Sequence, residues 1–259
     1  MKISIIGNGN LAQNLAVFFS EDNLFQIQEI YSRNYKEVQF FSQRVNARAL
    51  KNISKLNSDI DILIIAITDR SIKDILKLIP KGDYLVLHTS GAVSIDIFKT
   101  FNFRNYGVIY PLYSFSKNRK INFKSIPLMI EASNNEALEK LKILSKNISE
   151  IVLELNSEER KQYHLSAVIV NNFSNHLWSM TQDLLKKQSL DFEYLKPILK
   201  QTCSNALEFD NLEDLQTGPA KRQDFNVIDT HLEILKENLS LKEIYKKMTE
   251  SIIKKYENK

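Results

Sequence analysis

A glycine-rich turn near the start of the chain constrains its fold more than any other feature of the sequence. The turn, Gly7-Asn8-Gly9-Asn10-Leu11-Ala12, follows the apolar segment Lys2-Ile3-Ser4-Ile5-Ile6 and opens an amphipathic stretch that reaches Ser20. The first glycine permits a tight turn, the second lets the backbone approach a pyrophosphate, and the small third residue lets helix and strand pack closely. The spacing therefore predicts a strand, a dinucleotide-binding turn and a helix whose N-terminus attracts phosphate.

Short apolar runs alternate with helical patterns through the first 155 residues, which is typical of βαβ units and a parallel sheet. The segment from Asp61 to Ile67 is apolar after its first residue, as expected for a strand that helices cover on both faces. Strands are predicted over residues 2–6, 26–32, 47–50, 61–67, 84–88, 106–110, 127–131 and 150–155. Helices are predicted over residues 11–20, 36–45, 71–79 and 135–146.

The hydrophobic pattern of the sequence changes at Asn156, after which no strand pattern is found. Residues 156–187 fit one long helix, and residues 192–209, 224–238 and 241–256 fit three more. We therefore predict an α/β fold: a doubly wound, mostly parallel Rossmann sheet over residues 1–155, followed by an all-helical C-terminal domain over residues 156–259.

Composition excludes several classes of protein. Hydrophobic residues make up 43% of the chain and charged residues 25%, which is ordinary for a folded globular protein. The only cysteine, Cys203, cannot form an internal disulfide, so a reducing, cytoplasmic location is predicted. Cys203 itself is expected in the core, on a helix. The longest apolar run, Ile62 to Ile67, is too short to span a membrane, and Met1 leads directly into a strand instead of a signal peptide.

The remaining composition bears on partners. The net charge of +4 is dispersed, so neither a nucleic-acid nor a membrane partner is expected. Four histidines and one cysteine lack the spacing of metal ligands, so no metal site is expected.

The residues after the second predicted strand bear on which dinucleotide would bind. NAD sites place a carboxylate there, about 20 residues beyond the turn, to accept the ribose 2′-OH. Here the segment reads Ile30-Tyr31-Ser32-Arg33-Asn34 and lacks one. A guanidinium pairs well with phosphate oxygens, so Ser32 and Arg33 suit the 2′-phosphate of NADP. The sequence favours NADP over NAD, with a solvated surface role for Arg33 as the alternative.

Polar residues follow three further predicted strands, where ligands of open α/β sheets bind. The predicted cofactor contacts are Gly7, Asn8, Gly9, Asn10, Leu11, Ser32, Arg33, Ala66, Ile67, Thr68, His88 and Ser90. Ser90 and Tyr110 are also predicted to contact substrate. His88 could in addition exchange a proton during hydride transfer, the alternative being a hydrogen-bonded structural histidine.

The long predicted helix carries a polar face. At 100° per residue, one side collects Lys161, His164, Val168, Asn172, Asn175 and His176. Polar groups on an otherwise apolar helix need partners, so this face lines a ligand cleft, forms an interdomain network or meets water. We favour the cleft, with His164 and Asn172 as catalytic residues and His176 as a substrate contact.

A late loop, Gln216 to Asp224, adds candidate substrate contacts. Thr217 offers a hydroxyl, Gly218 offers close backbone approach, and Arg222 or Lys117 could anchor a substrate carboxylate. Asp224, at the end of this loop, is a plausible N-cap of the following helix.

Together these motifs resemble a bacterial family of Rossmann-like NADP oxidoreductases with a C-terminal domain of unknown function. The resemblance rests on the glycine turn, Tyr31-Ser32-Arg33, His88-Thr89-Ser90-Gly91, Tyr110-Pro111, Tyr163-His164 with Asn172, and Gln216-Thr217-Gly218-Pro219 with Arg222 and Asp224. More distantly, the layout is similar to pyrroline-5-carboxylate reductase, ketopantoate reductase and the 6-phosphogluconate and 3-hydroxyisobutyrate dehydrogenases. The resemblance implies a homodimer built through the long helix and an active cleft between the domains.

One departure from the hydroxyacid dehydrogenases matters. They place a catalytic lysine and asparagine four residues apart on this helix, but here Leu165 stands four residues after Lys161. Either His164 and Asn172 replace that pair or the chemistry differs. We predict an NADP-dependent oxidoreductase acting by hydride transfer on a small carbonyl, imine or hydroxy-acid substrate. The alternatives are a non-catalytic dinucleotide-binding sensor or partner-binding protein, and a deazaflavin-linked oxidoreductase.

Overall fold

A computed structural model describes residues 1–116 and 121–257 of the chain. Lys117, one of the two predicted carboxylate anchors, lies outside the described residues. The chain divides into two compact units, Met1–Asn172 and Phe173–Lys259. Within the described residues, every strand belongs to the first unit, and no helix is long and apolar enough to cross a membrane.

The first unit is built on one sheet in the order β3-β2-β1-β4-β5-β6-β7-β8. The strands are β1 (Lys2–Ile6), β2 (Gln26–Tyr31), β3 (Arg48–Leu50), β4 (Ile62–Ile65), β5 (Leu85–His88), β6 (Tyr106–Pro111), β7 (Leu128–Ala132) and β8 (Val152–Glu154). Neighbouring strands are parallel except β6 and β7, which are antiparallel. The first six strands follow the Rossmann order, in which ligands bind where β1 and β4 diverge. The predicted fold class is confirmed.

The helices are α1 (Asn10–Glu21), α2 (Tyr35–Arg44), α3 (Asp69–Leu76), α4 (Asn135–Ile148), α5 (Ser157–Ala167), α6 (Ser174–Lys186), α7 (Lys196–Glu208), α8 (Phe225–Ile234) and α9 (Leu239–Tyr256). The side chains of Asn34, Asn134, Asn156 and Asn238 accept backbone hydrogen bonds at the starts of α2, α4, α5 and α9. Short 3₁₀ turns include Ile95–Phe101 after β5, a segment in which the sequence predicted no element.

Two hydrophobic cores cover the two faces of the sheet. Ile3 and Ile5 of β1 point to one side, where they join Phe19 of α1. Ile6 points to the other side, where it joins Ile72 of α3. Burying an isoleucine side chain contributes about 1.5–3 kcal/mol. Alternate side chains of β1 are therefore held on opposite faces of the sheet, and this sets the position of the residues at the strand end.

The long helix predicted over residues 156–187 is not one regular α-helix. α5 ends at Ala167, residues Val168–Phe173 form a π-helical segment, and α6 begins at Ser174. A π-helix holds more residues per turn than an α-helix, so the 100° spacing does not carry from His164 to His176. The regular spacing from which a single polar face was predicted is therefore interrupted between His164 and His176.

The observed division of the chain at Asn172 differs from the boundary predicted at residue 155. α5 packs with the first unit because a buried ion pair joins Arg160 to Glu131 on β7. Ser157 adds two hydrogen bonds to Glu131, from its backbone N–H (3.1 Å) and its hydroxyl (2.7 Å). The change from strand to helix pattern marks the end of the sheet, but not the end of the contacts that the sheet makes.

The second unit leaves much apolar surface exposed. Neither α6 nor α7 contains a buried residue. Cys203 on α7 is exposed, so the expectation that it lies in a helix core is wrong.

Candidate functional site

The glycine turn after β1 has the shape that its sequence predicts. Gly7 has φ +135°, and a Cβ there would come within 2.1 Å of the Ala66 carbonyl oxygen, so no larger residue fits. A Cβ at Gly9 would meet nothing within 4 Å. Gly9 also caps α1 without a side-chain hydrogen bond, which leaves the first N–H groups of the helix open to a ligand. Packing against Ala66 therefore requires a glycine at position 7, whereas the space next to Gly9 is open.

A groove of about 620 Å³ lies at the carboxyl ends of β1, β2 and β4 and reaches the tip of β5. All but one of the predicted cofactor residues line it: Gly7, Asn8, Gly9, Asn10, Leu11, Ser32, Arg33, Ala66, Ile67, Thr68 and Ser90. Arg33 is exposed and forms no ion pair within the described part of the chain. The structure thus brings eleven of the predicted residues, from the glycine turn and the ends of β2, β4 and β5, to one surface. Their contacts with a cofactor stay predictions.

Glu37 is a lining residue that the sequence reasoning missed. Its Oε2 accepts a hydrogen bond from Nδ2 of Asn8 at 3.2 Å, so a carboxylate does stand in the groove. NAD-binding sites carry their acidic residue at the end of the second strand, whereas Glu37 lies in the first turn of α2. The signal was the pattern Asn34-x-x-Glu37, because the N-terminus of a capped helix lies next to the strand that precedes it.

His88 does not line the groove. Its side chain is fully buried, its ring stacks on Phe98, and its Nδ1 accepts a hydrogen bond from the Ser90 N–H at 3.2 Å. Burial lowers the pKa of His88 to about 3, and the positive charge of Arg160 acts in the same direction. A ring that solvent cannot reach does not contact a cofactor or exchange a proton with substrate. The structure contradicts those predicted roles and fits the structural alternative.

A second cavity, of about 980 Å³, lies beside the end of β6. Its lining includes Tyr110, predicted to contact substrate, and His164 and Asn172, predicted together as catalytic residues of the long helix. The Tyr110 hydroxyl lies 3.0 Å from Nδ1 of His164, within hydrogen-bond distance. Burial raises the pKa of Tyr110, and the negative charge of Asp69 adds to the shift. The tyrosine therefore keeps its proton at neutral pH and can share it with the imidazole.

Gly91, which follows β5, lies close to Tyr110 and His164. A Cβ at Gly91 would come within 2.7 Å of Nδ1 of His164 and 2.8 Å of Cζ of Tyr110. The preceding residue, Ser90, lines the groove, and its hydroxyl accepts hydrogen bonds from the N–H groups of Ala92 and Val93 at 3.1 and 3.0 Å. Ser90 thus lines the groove, and the next residue lies close to two residues that line the cavity.

Arg160 secures the helix that carries His164. Its guanidinium is almost fully buried, pairs with Glu131 and donates to the Val93 carbonyl at 2.6 Å. Arg160 precedes His164 by four residues, one helical turn. The ion pair therefore holds α5 against β7, and the hydrogen bond to Val93 holds it against the loop after β5.

The remaining predicted substrate contacts lie in the second unit. His176 is on α6, and Thr217, Gly218 and Arg222 lie in the segment before α8. Gly218 has φ +99°, which accounts for a glycine at that position. Asp224 accepts a hydrogen bond from the Val227 N–H at 3.3 Å, so its role as an N-cap is confirmed. The substrate roles of His176, Thr217, Gly218 and Arg222 stay predictions. Within the described residues, no three His, Cys, Asp or Glu side chains could together hold a metal ion.

Comparisons with known proteins agree with this geometry. A family model described as "Oxidoreductase family, NAD-binding Rossmann fold" matches residues 1–83, and "Domain of unknown function (DUF2520)" matches residues 126–252. No match is found among curated proteins.

Solved structures extend the comparison to the whole chain. A Bacteroides fragilis protein assigned as an NADP oxidoreductase is 34% identical, with 98% of both chains covered and a TM-score of 0.90. A Thermotoga maritima protein is 24% identical, with 98% of both chains covered and a TM-score of 0.72. A pyrroline carboxylate reductase from Plasmodium falciparum, with NADP bound, is 14% identical, with 99% of this chain and 97% of that chain covered and a TM-score of 0.62.

Fold, groove and family matches define an oxidoreductase with an NAD-binding Rossmann domain. The chain belongs to the family of such oxidoreductases that carries the DUF2520 domain at its C-terminal side. The family resemblance predicted from the sequence is confirmed.

Proposed function

We propose that the protein is an NADP-dependent oxidoreductase that reduces or oxidises a small carbonyl, imine or hydroxy-acid group next to Tyr110 and His164. The observation that carries this proposal is the position of the β5 tip. Ser90 lines the dinucleotide groove, and a side chain on the next residue, Gly91, would overlap both Tyr110 and His164. A ligand in the groove and a substrate in the cavity would therefore meet at this loop.

The residues of the groove fit a dinucleotide phosphate. The open space at Gly9 leaves room for a pyrophosphate, and the N–H groups at the uncapped N-terminus of α1 would donate hydrogen bonds to it. Arg33 supplies the cation that a 2′-phosphate requires, and this favours NADP over NAD. The name of the Bacteroides fragilis relative and the NADP in the Plasmodium structure support the same choice. When bound, the nicotinamide would donate or accept a hydride.

The cavity residues are suited to the proton that accompanies such a reaction. Reduction of a carbonyl or imine leaves negative charge on oxygen or nitrogen, and a proton must reach that atom. Tyr110 and His164, 3.0 Å apart, can pass a proton between them and on to the substrate. The amide of Asn172 lines the same cavity and can orient a polar substrate group. We assign proton transfer to the pair and orientation to Asn172.

The test has two stages. Fluorescence titration with NADPH and NADH measures binding, and a panel of small aldehydes, ketones and cyclic imines then measures oxidation of NADPH. We expect His164→Ala to bind NADPH as wild type does and to lose about 10²–10⁴-fold in turnover. Unchanged turnover would refute the role of His164. Tight NADPH binding without oxidation across the panel would favour a sensor or partner-binding protein.

A homodimer through the helical segment 157–186 belongs to the same proposal. Its large apolar side chains are exposed: Leu165, Ile169, Val170, Phe173 and Trp178. A second copy would present the same apolar side chains, as two-fold symmetry requires. Sedimentation velocity should give a dimer for wild type and a monomer for Leu165→Glu. Ile143→Glu, an equally exposed change on α4, should stay dimeric, and a monomeric wild type would end this proposal.

The cellular location follows from the sequence alone. A single thiol, Cys203, fits a reducing compartment, so we propose the cytoplasm.

A further inference from the structure

We propose that Glu37 limits the preference of the groove for NADP and lets NAD compete for it. This inference rests on the proposed dinucleotide groove and goes beyond it by naming the residue that opposes Arg33. Both side chains line the end of the groove that follows β2. They bear opposite charges, yet no ion pair joins them in the described structure.

The carboxylate of Glu37 is held by the glycine turn instead. Asn8 donates to Glu37 from Nδ2 at 3.2 Å. Gln13 orients this amide, because its Nε2 donates to the backbone oxygen of Asn8 at 3.0 Å and to Oδ1 at 3.1 Å. A chain of hydrogen bonds therefore runs from α1 through the turn to Glu37.

The backbone of Glu37 is anchored as well. Its N–H donates to the Asn34 side chain at 3.4 Å, the cap of α2. Asn34 in turn donates its own N–H to the Ser32 hydroxyl at 3.4 Å. Glu37 is thus tied through its carboxylate to the glycine turn and through its backbone to the cap of α2, the two chain segments that border the ribose end of the groove.

The two cofactors differ at one position that this end of the groove would meet. A carboxylate accepts a hydrogen bond from the 2′-OH of NAD and repels the 2′-phosphate of NADP. A guanidinium does the reverse, because it pairs with the phosphate. With both groups present, Arg33 and Glu37 act against each other. We expect wild type to bind both cofactors and to prefer NADPH only about tenfold.

The test measures the dissociation constants of NADPH and NADH, without any substrate. Glu37→Gln removes the charge but keeps the shape, so NADPH should bind about tenfold tighter and NADH about threefold weaker. Arg33→Ala should weaken NADPH about tenfold and leave NADH nearly unchanged. Glu37→Asp keeps the charge and should leave the ratio of the two constants within about threefold of wild type.

Glu139→Gln is the matched control, since Glu139 is an exposed carboxylate on α4 outside the groove. It should change neither constant. Raising the salt concentration should shrink the effect of Glu37→Gln, because exposed charges are screened. Circular dichroism confirms that each variant is folded, and Glu37→Ala replaces Glu37→Gln if that variant is not.

The outcomes separate two failures. If wild type binds NADPH but Glu37→Gln leaves the ratio of the constants unchanged, the role of Glu37 is overturned and the groove stands. If wild type binds neither dinucleotide, both the groove and the role of Glu37 are overturned.

Discussion

The hydroxyl of Tyr110 lies 3.0 Å from Nδ1 of His164, although 54 residues separate the two along the chain. β6 carries the tyrosine and α5 carries the histidine, and their rings meet edge to face. Gly91 allows this approach because any side chain there would overlap both rings. The pair is therefore a product of three separate segments, each held by the sheet.

Tyr110→Phe removes the hydroxyl and keeps the ring. We expect turnover to fall about 10²-fold or more, because the proton path to substrate is broken. NADPH binding should not change, since Tyr110 does not line the groove. Steady-state kinetics with a substrate found in the panel would measure this. Equal turnover in Tyr110→Phe and wild type would show that the hydroxyl takes no part.

The two glycines of the turn should respond differently to alanine. Gly7→Ala meets both a positive φ and the Ala66 carbonyl, so we expect a loss of at least about 1–3 kcal/mol in unfolding free energy. Gly9→Ala meets no protein atom and should keep wild-type stability. It should nevertheless lose NADPH affinity by about tenfold or more, because the methyl group occupies the pyrophosphate space. Urea unfolding and fluorescence titration measure the two effects. Wild-type affinity in a folded Gly9→Ala would contradict the assignment of the groove.

His88 should make the protein sensitive to acid. Burial lowers its pKa to about 3 in the folded chain, against 6.5 ordinarily. Between these values the unfolded chain binds a proton that the folded chain does not, so stability falls as the pH falls below 6.5. The slope is up to about 1.4 kcal/mol per pH unit, and no effect is expected above that range.

His88→Asn keeps an acceptor for the Ser90 N–H and cannot titrate. Urea unfolding at several pH values between 7 and 4.5 should show a shallower acid dependence for this variant than for wild type. The other three histidines are present in both proteins and cancel in the comparison. Identical slopes would mean that His88 gains a proton while the protein is folded.

The buried pair of Arg160 and Glu131 should be costly to break. Arg160→Met leaves Glu131 without its cation, and we expect a loss of about 3–5 kcal/mol in unfolding free energy. Lys161→Met is the matched control, because Lys161 pairs with Glu158 at the surface and should cost no more than about 1 kcal/mol. Urea unfolding compares the two variants. Losses of similar size would show that burial adds nothing to the Arg160 pair.

Much of the fold could be predicted from local patterns. β1 was predicted over residues 2–6, the range observed, because apolar runs and glycine turns act over a few neighbouring residues. Gly7 and Gly9 were identified for the same reason. The contact between Tyr110 and His164 was not predicted, because local sequence patterns do not determine the distance between two segments that lie far apart in the chain.

The errors have physical causes. His88 ends an apolar strand at a polar tip, and the sequence does not reveal that Phe98, from a segment where no element was predicted, covers its ring. The π-helical segment after Ala167 breaks a periodicity that was assumed to be uniform. Glu37 was not predicted because it belongs to the first turn of α2 and not to the end of β2, where the acidic residue of an NAD site is expected.

By itself the sequence determined the order of strands and helices, the turn after β1 and the set of polar residues at the strand ends. Hydrophobic periodicity and backbone sterics are local, so they are readable without coordinates. Only the tertiary structure decided which of those polar residues are buried, like His88, and which meet, like Tyr110 and His164. Burial and distance depend on packing between segments far apart in the chain, and short-range patterns carry no measure of either.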